Sequence, residues 1–227
     1  MGENEHQSRE WSIDFNQGNN VEEVLEPGPD CCIYRVPQYL RKINEEAYTP
    51  GFISIGPLHY GSIELMGMEK QKTRLLLKFR ERVGAQKLEE FETYIQNQEQ
   101  RIRNHYSVTS KLHREEYIKV ILRDAVFIVE LFVRNDSGTQ DFLLDNAQQK
   151  VYLMIDLLLL ENQIPYFVLN HLYSSAVPSS VGHPSFLSLC CNFFMFDSLQ
   201  FPEQPKHFTD LYRHTAVGEL QPTEQSS

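Results

Sequence analysis

Nine consecutive residues, Ala125–Val133, contain a single charge, Glu130, and are otherwise apolar. A helix that is apolar nearly all round has no surface to offer water, so other elements must enclose it on most sides. The stretch is the second half of a helix expected to start after Ser110 and to run to Val133. The rest of the chain has to supply the walls around it.

The flanking sequence has the pattern those walls require. From about Glu69, the residues Met68, Lys72, Leu75/Leu76, Phe79 and Val83 recur at three- and four-residue steps, and Gly84 stands where a C-terminal cap belongs. Lys87–Tyr106 reads as a second helix with an inward stripe of Leu88, Phe91, Ile95, Gln98 and Ile102. That stripe is too short for a lasting two-helix seam and is read as internal packing. Further helices are expected over Ala147–Glu161, over Pro165–Leu172 with the proline in its first turn, and over Pro184–Phe196 and His207–His214. The prediction is a mostly α fold of about six helices behind an irregular N-terminal segment, with at most a short strand near Phe52–Ile55. Residues 1–30 are expected to be an acidic, largely disordered segment in which Asn20 caps a brief helix over Val21–Leu25. The helical domain is placed at 31–216 and a disordered tail at 217–227.

Charge narrows the function classes. The chain of 227 residues carries a formal −10, distributed as −7 over residues 1–30, +2 over 31–150 and −5 over 151–227. A net acidic chain argues against nucleic acid as partner. No apolar run reaches the ~18 residues of a membrane span, and the polar start is no secretory signal. The four cysteines form two vicinal pairs, Cys31-Cys32 and Cys190-Cys191, a spacing that suits buried thiols better than a zinc site. No cofactor or metal is expected, and the sequon at Asn135 is read as chance.

Motifs for nucleotide binding, metalloprotease or serine-hydrolase chemistry are absent. Four places could still carry chemistry. His59 lies in a Gly-bounded turn, where its imidazole is expected to bond nearby backbone and where it could also act as a base. Glu69 and Lys72 are spaced to pair across one helical turn. Asp124 and Glu130 lie about 120° apart on the apolar helix, so each needs its own cation from elsewhere. Asp156 and Glu161 lie about 140° apart on one helix, and Glu161-Asn162-Gln163, ahead of Pro165, are suited to bind the free amides and carbonyls of two helix ends.

These segments, taken in order, carry a resemblance. Ile33-Tyr34-Arg35-Val36-Pro37 with Leu40-Arg41, Tyr48-Thr49-Pro50, Ser54-Ile55-Gly56-Pro57 with His59, Met68-Glu69 with Lys72, and Leu159-Leu160-Glu161-Asn162-Gln163-Ile164-Pro165 together resemble the plant "domain of unknown function 247" family over roughly residues 31–173. The family-motif positions are Arg35, Pro37, Gly56, Pro57, His59, Glu69, Lys72, Asp156, Glu161, Asn162, Gln163 and Pro165, read as structural. The resemblance implies a largely helical plant protein without an assigned activity, whose longer members end in a hydrophobic, membrane-anchoring segment. Some grass members are linked to self-incompatibility. This chain looks like a C-terminally truncated member, cytoplasmic in the absence of an anchor. The expected function is a non-enzymatic recognition module with unidentified protein partners. The alternatives are an enzyme using His59 with Glu161 or Asp156, and a non-functional fragment.

Overall fold

The computed structural model describes residues 27–177, 182–196 and 204–218. The expected Asn20-capped helix, almost all of the acidic segment and nearly all of the tail lie outside these residues. Nine α-helices occur among the described residues: α1 Gln38–Arg41, α2 Met66–Val83, α3 Ala85–Asn104, α4 Arg114–Asp136, α5 Phe142–Asp145, α6 Ala147–Leu158, α7 Tyr166–Ala176, α8 Phe186–Phe194 and α9 Phe208–Gly218. A 3-10 turn, Ile63–Leu65, leads into α2. No strand forms among the described residues. One isolated parallel bridge joins Ile33 to Tyr106.

Helix α4 is the axis of the molecule, as its composition demands. From Ile121 to Phe132 every residue except Arg123 is buried. Helices α2, α3, α7 and α8 form its walls. The α2 face turned inward is Met68, Lys72, Leu75 and Phe79, and the α3 face is Phe91, Ile95 and Ile102. The stripe read on α3 is thus consumed inside the chain. The lower end of α4 is closed by aromatics: the Phe132 ring stacks on Phe193 at 4.3 Å and has Phe194 and Phe208 at 5.7 and 5.5 Å. Phe208 opens α9, so this cluster ties the last described helix to the core.

Helix ends follow local chemistry. Gly84 ends α2 with φ 88, a conformation that costs glycine nothing, and its amide bonds Arg80 O at 2.9 Å. Asn146 begins α6 by accepting the Gln148 and Gln149 amides. Pro165 occupies the cap position just before α7 rather than its first turn. The short α5 was not legible in the sequence; Asp141 creates it by accepting the Leu143 amide. The acids of α4 find the cations they require. Glu130 lies between Arg82 and Arg134, at 2.9 and 3.1 Å.

Residues 33–62 lie across this bundle without regular structure apart from α1. Ile33, Ile53 and Ile55 are nonetheless fully enclosed. Backbone that is buried must find hydrogen-bond partners, and the partners of this segment define the region of interest.

Candidate functional site

The segment Gly51–Gly56 is irregular and has no neighbouring strand among the described residues; side chains projected from two helices and a turn take the place of one. Asp156, near the end of α6, accepts the amides of Phe52 and Ile53 at 2.7 Å each and that of Gly51 at 3.2 Å. Asn162 accepts from the Ile55 amide and donates to Ile53 O and Asp156 O, both at 2.9 Å. Asp124, from the middle of α4, accepts the Gly56 amide at 2.9 Å. The short strand allowed for near Phe52–Ile55 is therefore absent for a definite reason: carboxylates and a carboxamide supply the partners a ladder would have supplied.

Lys72 reaches from α2 into the same region with no exposed surface. Its ammonium donates to Ser54 O and lies 2.7 Å from both Asp124 Oδ1 and Glu69 Oε1. Glu69 bridges onward to Arg123. Burial drives the Asp124 carboxyl upward from its ordinary range, against the pull of Lys72. Burial also raises Asp156, opposed by its three amides.

A second set surrounds Glu161, whose side chain is fully enclosed. Its Oε1 accepts the Val36 amide at 2.6 Å and pairs with Arg41, which also donates to Thr49 Oγ1 at 2.7 Å. Its Oε2 lies 3.3 Å from His59 Nε2. Burial pushes Glu161 upward, but His59, the Val36 amide and Arg41 outweigh it and hold the carboxyl below its usual range. Gln163 completes the region. Its amide nitrogen donates to Leu157 O and Leu159 O at 2.7 Å, its side-chain oxygen accepts the Phe208 amide at 3.0 Å, and its backbone carbonyl accepts the Tyr106 hydroxyl at 2.8 Å.

The motif positions thus converge on one buried junction, with some changes of role. Gln163 does serve two helix ends, those of α6 and α9. Glu161 and Asn162 mainly serve the irregular segment instead, as Asp156 does, because its amides are the larger unmet demand. His59 faces the Glu161 carboxylate rather than nearby backbone. Pro37 stands before α1 and Pro57 follows Gly56 in the turn, while Arg35 is exposed and joins only through its amide, which Ser107 Oγ accepts at 3.0 Å. Asp124, Arg41, Ser54 and Tyr106 also belong to the junction. Arg41 and Ser54 stand within the motif segments and an acid in an apolar helix implies a buried cation for Asp124, whereas Tyr106 carries no such signal in the sequence.

All four cysteines are free and buried. Burial raises each thiol, that of Cys32 to about 11, which keeps them protonated and unreactive. Among the described residues, no cluster of three or more His, Cys, Asp or Glu is arranged to hold a metal. Nor is any helix long and apolar enough to cross a membrane.

The chain is 31% identical over 211 residues to the UPF0481 protein At3g47200 of Arabidopsis thaliana, a match covering 87% of the chain and 44% of that protein. It is 30% identical over 137 residues to the Arabidopsis putative UPF0481 protein At3g02645, covering 60% of the chain and 26% of the relative. The chain therefore spans less than half the length of these curated relatives. No solved structure matches it. Residues 33–227 match the family model described as plant protein of unknown function, and the chain belongs to that domain-of-unknown-function 247 family.

Proposed function

We propose that the chain is part of a non-enzymatic protein-interaction module, serving in longer family members a membrane-associated recognition role such as self-incompatibility. One observation supports this reading most directly. Apart from the exposed Arg35, the ionisable groups of the motif residues are turned inward, and each lies against a charged or hydrogen-bonding partner in the same chain. Catalytic groups need a face open to substrate. Groups spent on backbone amides instead hold an irregular segment in one shape on a rigid bundle, the arrangement by which many binding surfaces are displayed. Proximity labelling with a full-length relative in plant cells tests the module. A small reproducible set of protein partners is expected, and recovery of none above background overturns it.

A second reading, an enzyme built on His59, is favoured by the 3.3 Å approach of His59 Nε2 to Glu161 Oε2. An acid that orients an imidazole is half of a base-catalysis pair. The side chain of His59 is 11% exposed. Asp156 is the weaker partner, because its oxygens already hold three amides. The test is hydrolysis of p-nitrophenyl acetate and p-nitrophenyl phosphate by the wild type and His59→Gln. Turnover that depends on His59 would favour the enzyme; equal, background rates would remove it.

A further inference from the structure

Beside the junction, the loop around residues 45–52 and the outer face of α6 enclose a cleft of about 730 Å³, within the ~300–1,000 Å³ of ordinary ligand clefts. Its walls include Phe52, Tyr152 and Ile155, and its rim carries Glu45 and Glu46, with Asp156 behind. Among the described residues, no Lys or Arg contributes to the lining. The Phe52 and Tyr152 rings meet with centroids 5.9 Å apart and planes inclined at 47°. Tyr152 and Ile155 remain 43% and 53% exposed, and Val151, one turn earlier on α6, remains 48% exposed. Such a strip of exposed apolar side chains on a helix otherwise packed against the core is a surface awaiting cover.

The chemistry of the cleft selects its occupant. Aromatic faces attract cations, and guanidinium stacks on them better than ammonium because it is planar and weakly hydrated. The carboxylates of Glu45 and Glu46 add attraction from the rim. Ile155 and Val151 extend the site with apolar surface alone. We infer that this cleft binds a protein segment presenting an arginine side chain next to an apolar residue: the guanidinium lies against Phe52 and Tyr152 and faces the two glutamates, and the apolar neighbour covers Ile155 and Val151. This assignment rests on the interaction-module reading and names the class of partner that module would take.

The probe is N-acetyl-leucyl-arginine amide, titrated into the isotopically labelled full chain and followed by amide chemical shifts. Shifts concentrated on residues 45–52 and 151–159 are expected, with binding roughly tenfold tighter than that of the leucyl-glutamine counterpart. Tyr152→Ala and the double variant Glu45→Gln/Glu46→Gln alter only exposed side chains, so both should fold, and each should abolish the preference for arginine. Shifts scattered over the acidic surface, equal binding of the two dipeptides, or a preference that survives Tyr152→Ala would each overturn the assignment. Partner labelling separates the two ideas. Partners recovered equally by wild-type and Tyr152→Ala relatives overturn the cleft while leaving the module intact; no partners with the wild type overturn the module whatever the dipeptide does.

Discussion

Gly56 and Lys72 show how closely single residues are held in the junction. Gly56 has φ 72, and a Cβ there would lie 2.6 Å from Gln163 O and 3.1 Å from the Tyr106 hydroxyl. Both the backbone conformation and the space thus exclude a side chain, and Gly56→Ala should cost about 2–4 kcal/mol, read from urea unfolding. Lys72 lies 2.7 Å from Asp124 Oδ1 in a fully enclosed place. Lys72→Met strands that carboxylate and should cost about 3–5 kcal/mol. Adding Asp124→Asn should recover part of the loss, because an amide can still accept the Gly56 N–H without needing a counter-charge. A double-mutant cycle measures the coupling; a cost below about 1 kcal/mol for Lys72→Met would show that the pair contributes little. The sequence revealed that Asp124 needed a cation. It did not reveal which one, since Lys72 and Asp124 meet only when α2 packs on α4.

At the scale of elements, α9 is the helix whose attachment responds most clearly to pH. His207 precedes it and is buried; its Nε2 donates to Cys32 O at 3.0 Å and its Nδ1 accepts the Asp210 amide at 3.2 Å. The second bond requires the neutral ring, because a protonated Nδ1 cannot accept, whereas donation from Nε2 to Cys32 O survives protonation. Burial lowers its proton affinity below the ordinary value of 6.5, helped by Lys206 and His105 and opposed by the Cys32 carbonyl and Asp210. The folded state therefore binds this proton less tightly than the unfolded chain does. The contribution of His207 to stability is complete above pH 6.5 and is lost as pH falls through the lower folded value. Protection of the Phe208–Gly218 amides, measured relative to their intrinsic exchange rates, should fall as the pH drops below 6.5, and His207→Gln should flatten the response. Unchanged protection between pH 7 and 5 would show that the cap carries no weight. The existence of most helices was legible from their periodicity. Their ends were less so: α6 stops at Leu158, three residues before the expected Glu161, because Leu159 is extended and the chain turns to aim Asn162 at the loop.

At the scale of the whole molecule, one continuous apolar core runs from Ile33 through α4 to Leu211 and includes residues of every helix from α2 to α9. A core shared by all these elements predicts a single cooperative thermal transition for the isolated chain, with limited proteolysis sparing α2–α8. Rapid cutting throughout, with a broad melt, would favour the non-functional-fragment reading instead. The family motifs, scattered over 130 residues from Arg35 to Pro165, were legible as residues but not as a place. Only the packing of residues 33–62 across α4 and the α6–α7 turn brings them together.

What the sequence determined by itself is the enclosed helix α4, the amphipathic walls around it and the need of its two acids for cations. Those follow from local spacing and from the cost of leaving apolar or charged groups in the wrong medium. The tertiary structure decided which groups meet: Asp156 and Asn162 with the amides of Gly51–Ile55, Glu161 with Arg41 and His59, and Glu45, Glu46, Phe52 and Tyr152 around one cleft. These partners are separated by about a hundred residues. Periodicity reports a residue's neighbours within its own element, and only the closing of the bundle selects its neighbours across it.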